Sequence, residues 1–178
     1  EDALRVTDVA RSDAAIDDPA NLADDRVWLF SGTRDTVVPT ATVDALAGLY
    51  RKFGVTGDRL KLVEDVPAGH GMPVDEFAGE SRFPKLDCGD QAPPFIVDCD
   101  RDAAGELLRQ LLPDGFAAEP GSPRRDRLIG FDQREFFDAG EDSVSLAATG
   151  FLYLPESCLP AGEGCRLHVA FHGCSQNT

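Results

Sequence analysis

Two short apolar runs, residues 26–30 (Arg-Val-Trp-Leu-Phe) and 59–63 (Arg-Leu-Lys-Leu-Val), flank one amphipathic segment. That spacing constrains the fold more than any other feature of the chain. Each run has the length of a strand and is too short for a helix. Between them Thr40 can cap a helix reaching Phe53, with Val43, Leu46, Tyr50 and Phe53 on one face and Gly54 as its stop. Strands joined by a helical crossover of this length run parallel. The expected class is therefore α/β, with a doubly wound sheet.

Open α/β sheets carry their chemistry in loops just beyond the carboxyl ends of the strands. The first run leads into Ser31-Gly32-Thr33-Arg34-Asp35, closed by Pro39, and the second into Ala68-Gly69-His70-Gly71. A carboxylate at Asp35 can accept from an imidazole N–H, fix its tautomer and stabilise its cation. His70, with glycine on both sides, is a general-base candidate. Alone, Asp35 also fits a solvated turn residue and His70 a surface loop histidine. The two together, in strand–helix–strand order, read as an acid and its base.

A third fragment closes the chain. Residues 167–171 (Leu-His-Val-Ala-Phe) are expected to form a strand leading into His172-Gly173-Cys174-Ser175-Gln176. Backbone N–H groups after such a strand can converge on an oxyanion. Gly173 permits close approach and the Cys174 amide is the expected donor. His172 reads as a structural ring bonding its own loop, and His168 as a packing residue. Ser175 is oriented the wrong way for a nucleophile elbow. No Gly-x-Ser-x-Gly occurs anywhere in the 178 residues, and no other serine stands in a strand–elbow–helix frame. Cys174 is a weak nucleophile candidate, placed where the base does not reach.

Residues 1–24 read as loop with room for a short helix. Residues 77–99 form an irregular, proline-rich excursion, after which Asp100 or Asp102 caps a second helix ending at Leu111-Leu112. Residues 113–127 read as linker, and residues 144–146 and 150–154 as short strands. Cys88 and Cys99, like Cys158 and Cys165, bracket short turn-rich loops, and a disulfide across each is expected to add about 2–3 kcal/mol. Cys174 is left to pair elsewhere or stay free. Two local disulfides point to an oxidising compartment, hence a secreted or periplasmic protein. No Cys-x-x-Cys or paired Cys/His spacing supports a zinc site, so no metal is expected. A net charge of −15 disfavours nucleic acid and anionic membrane as partners.

Taken together, these residues resemble the extracellular poly(3-hydroxybutyrate) depolymerases of the circularly permuted type, within the α/β-hydrolase superfamily. The resemblance runs from Asp18-Pro19-Ala20-Asn21-Leu22 through Gly32-Thr33-Arg34-Asp35, Gly69-His70-Gly71 and Cys88-Gly89. It continues in Pro93-Pro94-Phe95-Ile96, Asp102-Ala103-Ala104-Gly105, Gly130-Phe131-Asp132-Gln133 and His172-Gly173-Cys174-Ser175-Gln176. It implies Asp35 as triad acid, His70 as base and the Cys174 amide as one oxyanion donor, with the serine upstream. The expectation is a partial catalytic domain: acid and histidine loops in residues 25–112, linker-like 113–127, and an oxyanion-strand part in 128–178. Such a piece, inactive alone, would serve cofactor-free cleavage of a polyester or short-chain hydroxyalkanoate ester. A carboxylesterase of small or feruloyl-type esters and a non-catalytic hydrolase-like module remain the alternatives.

Overall fold

In the computed structural model, the β1 strand Val27–Phe30 and the β2 strand Leu60–Val63 pair in parallel, with Val27 opposite Leu60 and Phe30 opposite Val63. The structure describes residues 2–75, 85–114, 124–136, 147–159, 165–171 and 173. The helix between the two strands, α2, spans Thr40–Lys52. It packs on both β1 and β2. Pro39, not Thr40, stands at its N-cap and gives no side-chain capping bond. The Thr40 hydroxyl instead accepts from buried Ser31. At the other end Gly54 takes φ +94°, the left-handed conformation that glycine tolerates best, and Arg51 and Lys52 sit at the negative end of the helix dipole. Of the expected face Val43, Tyr50 and Phe53 are partly buried, while Leu46 is 40% exposed and Ala47 is fully buried in its place.

The α1 helix, Asp2–Ser12, and a 3-10 turn, Pro19–Asp24, occupy the region expected to be mostly loop. Val6 and Val9 remain more than half exposed on α1. A helix that buries so little leaves no apolar period in its sequence. The 3-10 turn starts at Asp18, whose carboxylate accepts from the Ala20 amide at 3.0 Å.

The proline-rich excursion contributes two of the strands of a three-stranded sheet. Strands β3 (Met72–Val74), β4 (Leu86–Asp87) and β5 (Ile96–Asp98) form a parallel sheet with β5 in the centre. Strands of two or three residues give no readable alternation, which is why they escaped the pattern. The α3 helix, Ala103–Leu111, begins at Asp102, whose Oδ1 accepts from the Gly105 amide at 2.8 Å. It packs on β1 and β3. The core consists of Val63, Val66, Ala68, Leu86 and Val97, with Trp28, Phe30, Cys88 and Cys99 packed against it. Cys88 and Cys99 are bridged.

The chain divides into two compact units, Glu1–Phe116 and Ala117–Thr178. All elements above lie in the first. In the second, β6 (Leu128–Asp132) and β7 (Thr149–Tyr153) form an antiparallel pair, Leu128 facing Tyr153 and Asp132 facing Thr149. The sequence marked β7 to within one residue but not β6, whose apolar run is broken by Gly130. The Phe131 ring covers Gly150 across the pair. Cys158 is bridged to Cys165. The strand expected over 167–171 does not form: these residues have no ladder partner among the described residues, and Leu167, Val169 and Phe171 are 79%, 56% and 87% exposed. His168 is exposed with them rather than packed. The strand expected at 144–146 lies outside the described residues.

Candidate active site

The loops that follow β1 and β2 are zipped together by their backbones. Ser31 N–H donates to Val63 O at 2.9 Å, Thr33 N–H to Val66 O at 2.8 Å, and Arg34 N–H to Ala68 O at 3.1 Å. The approach is so close that a Cβ on Gly32 would overlap the Ala68 carbonyl. Gly69 is equally confined, since a Cβ there would overlap the Asp90 carbonyl, and its N–H donates to Cys88 O at 2.8 Å. Glycine at 69 therefore seats the histidine loop against residues 89–91, and glycine at 32 sets the separation of the acid and histidine loops.

That separation brings Asp35 and His70 together. His70 Nδ1 lies 2.9 Å from Asp35 Oδ2, with the carboxylate side chain 11% exposed and the imidazole 26%. Asp35 Oδ1 accepts from the Val37 and Val38 amides, each at 2.8 Å. Burial opposes ionisation of Asp35. The His70 hydrogen bond, the Val38 and Val37 amides and the His70 charge outweigh it, so the pKa falls below the usual carboxylate value. An ionised Asp35 accepts the Nδ1 proton and leaves Nε2 as the basic nitrogen. This arrangement can take a proton from a hydroxyl nucleophile and hand it to a leaving group.

Two neighbours brace the pair, and residue spacing alone assigned neither a role. The Gln91 side-chain oxygen accepts from both the Thr36 amide and hydroxyl, at 3.0 and 3.2 Å, tying the acid loop to the disulfide loop. The Phe95 ring stands against His70 with centroids 6.0 Å apart and planes at 76°. Both lie in the loop that Cys88 and Cys99 close, which the sequence marks only by its two cysteines.

Of the remaining site candidates, Gly173 is exposed, while His172, Cys174 and Ser175 lie outside the described residues. Among the described residues no group of three His, Cys, Asp or Glu side chains is arranged to hold a metal ion. None of their helices is long and apolar enough to cross a membrane.

No family model matches the chain. A poly(3-hydroxybutyrate) depolymerase from Delftia acidovorans is 35% identical to it over 175 residues, 98% of this chain and 33% of that protein. The chain is similar in sequence to the poly(3-hydroxybutyrate) depolymerases. A polyhydroxybutyrate depolymerase from Talaromyces funiculosus is 28% identical over 89% of this chain and 44% of its own length. The crystal structure of the depolymerase from Penicillium funiculosum superposes with a TM-score of 0.73 and 27% identity, covering 90% of this chain and 48% of that one. A further structure, a depolymerase complexed with R3HB trimer, gives a TM-score of 0.74. The fold is thus α/β-hydrolase-like, and the chain spans between a third and a half of the relatives it matches.

Proposed function

We propose that this chain carries the acid and the base of a serine hydrolase that cleaves the ester bonds of poly(3-hydroxybutyrate) or a related polyester. The observation that carries the reading is the 2.9 Å contact between His70 Nδ1 and a nearly buried Asp35, held on adjacent loops after parallel strands. The depolymerases it resembles supply the substrate class, one of them having been solved with a hydroxybutyrate trimer bound.

In this mechanism a serine from outside the 178 residues attacks the ester carbonyl. His70 Nε2 takes the hydroxyl proton, and Asp35 holds the ring and stabilises the imidazolium. The Cys174 amide, on the segment His172-Gly173-Cys174-Ser175, donates to the tetrahedral oxyanion. His70 then returns the proton to the leaving alkoxide, and water clears the acyl-enzyme by the same route reversed. The reaction needs no metal or cofactor. The partial domain divides functionally into acid and histidine loops (25–112), a connecting stretch (113–127) and the oxyanion part (128–178), a permuted order with the serine first. Two disulfides in so short a chain favour secretion into an oxidising compartment.

The deciding experiment uses the longer protein that supplies the serine. Clearing of suspended poly(3-hydroxybutyrate) granules, lost in His70→Ala and in a serine-to-alanine variant, is the expected result. Hydrolysis of soluble esters with no action on granules would overturn the polyester assignment. Full granule clearing by His70→Ala would overturn the site.

A further inference from the structure

A hydrogen bond at Nδ1, added to the Cβ–Cγ tether, restrains an imidazole without locking both of its side-chain torsions. Asp35 anchors Nδ1 of His70 and by itself does not define where Nε2 points. A second contact on the imidazole is the Phe95 ring, whose plane stands at 76° to that of His70 with centroids 6.0 Å apart. The backbone couples the same two residues. Met72 N–H donates to Phe95 O at 2.8 Å, and a Cβ on Gly71 would sit 3.0 Å from that carbonyl. Immediately beyond, β3 pairs with β5, Met72 opposite Ile96. On the other side of His70, Gly69 N–H is bonded to Cys88 O. The histidine is thus pinned at both flanks to the loop that Cys88 and Cys99 close.

Phe95 itself is held at φ +59°, left-handed backbone that a bulky residue adopts only at a cost. Glycine would relax that backbone but would remove the ring. An aromatic kept in a conformation glycine prefers points to work done by the side chain.

We infer that Phe95 is a positioning residue for His70: its ring fixes the imidazole plane and so aims Nε2. The assignment of a catalytic role to His70 rests on the function proposed above, whereas the orientation of its ring can be read without any turnover.

The test has two arms. In the first, the 178-residue protein is labelled at the histidine Cε1 position, and nuclear relaxation reports the order of the His70 ring. Wild type and Phe95→Tyr are expected to show a rigid ring, while Phe95→Leu and Phe95→Gly show a mobile one. The downfield Nδ1 proton resonance should persist in all four and vanish in Asp35→Asn. Equal ring order in wild type and Phe95→Leu overturns the inference. Phe95→Gly guards against a trivial folding defect, because it relieves the left-handed strain while deleting the contact. In the second arm, the longer serine-bearing protein should lose about ten- to a hundredfold in kcat with Phe95→Leu at unchanged KM, a size typical of a misaimed catalytic group. Phe95→Tyr should restore it. A loss confined to KM would show that the ring lines the substrate site and does not aim His70, overturning the inference. A wild-type protein inactive on every ester would overturn the proposed function, while the relaxation arm would still decide the role of Phe95.

Discussion

The acid–histidine loops and the β6–β7 hairpin are held by different physics. In the first unit, backbone amides cross between loops, glycines at 32 and 69 admit contacts no side chain could share, and the Cys88–Cys99 bridge packs on the core. In the second, the ladder and the Cys158–Cys165 bridge carry the structure, while Leu128, Phe136 and Phe151 are 54%, 75% and 67% exposed. Isolated two-stranded hairpins are marginal in water. Preorganisation of a reactive pair therefore belongs to the first unit, and substitutions of one kind should act unequally in the two.

The largest contrast is in turnover. In the serine-bearing protein, His70→Ala is expected to lower kcat by on the order of 10⁶, and Asp35→Asn by on the order of 10⁴ through loss of the correct tautomer. His168→Ala, on the exposed segment of the second unit, should leave kcat unchanged. Comparable losses from His70→Ala and His168→Ala at equal folding would break the comparison.

Disulfide removal comes next. By chain entropy the two bridges, closing separations of 11 and 7 residues, stabilise by similar amounts, about 2–3 kcal/mol each. Only Cys88–Cys99 also packs against Trp28, Phe30 and the buried valines. The paired replacement Cys88→Ser with Cys99→Ser is therefore expected to cost more, toward about 5 kcal/mol, measured by denaturant unfolding. A cost no greater than that of removing Cys158–Cys165 would mean the core packing contributes nothing beyond loop closure.

Glycine substitutions sharpen the point at smaller scale. Gly32→Ala and Gly69→Ala should each destabilise by about 1–3 kcal/mol, as overpacking does. Gly130→Ala should be tolerated, since a Cβ there meets only Thr149 and Phe151 at ordinary contact distance, 3.5 and 3.9 Å. Gly48→Ala, mid-helix with open space around it, should stabilise by about 0.5–1 kcal/mol. Thermal unfolding of the four variants ranks them.

The legibility of the sequence follows the same division. The β1–α2–β2 unit was readable because two short apolar runs flanked one amphipathic helical period, and glycine-bearing loops marked Asp35 and His70 as candidates. The short strands β3, β4 and β5 were not, because their order comes from the disulfide and the core, which no local pattern records. Phe95 and Gln91 were missed as neighbours of the pair for that reason: their contacts join residues far apart in sequence, Gln91 to Thr36 and Phe95 to His70. The segment 167–171 failed in the opposite direction. Its β-branched and aromatic content reads as strand, yet a strand exists only where a partner offers a ladder, and the described residues offer none.

The smallest expected effect concerns pH, and it compares one carboxylate from each unit. Asp35 and Asp132 both have lowered pKa values in the folded protein, Asp132 pushed down to about 2 by the Arg134 side chain and amide. A carboxylate whose pKa is lower folded than unfolded stabilises the fold fully above the ordinary carboxylate value near 4. That stability is lost as pH falls toward the folded-state value, because the unfolded chain binds the proton first. Asp35→Asn and Asp132→Asn should therefore each weaken the fold at pH 7 and match wild type in strong acid. The two part company in salt. Asp132 pairs with Arg134 on open surface, where ions screen the attraction. Asp35 is nearly enclosed by His70 and two amides, so solvent ions reach it poorly. Raising sodium chloride to about 1 M, where the Debye length falls to about 3 Å, should erase the neutral-pH difference between Asp132→Asn and wild type. It should leave most of the difference for Asp35→Asn. If salt abolished both equally, the Asp35–His70 pair would be as solvent-accessible as the hairpin ion pair, and a preorganised site in the first unit would be untenable.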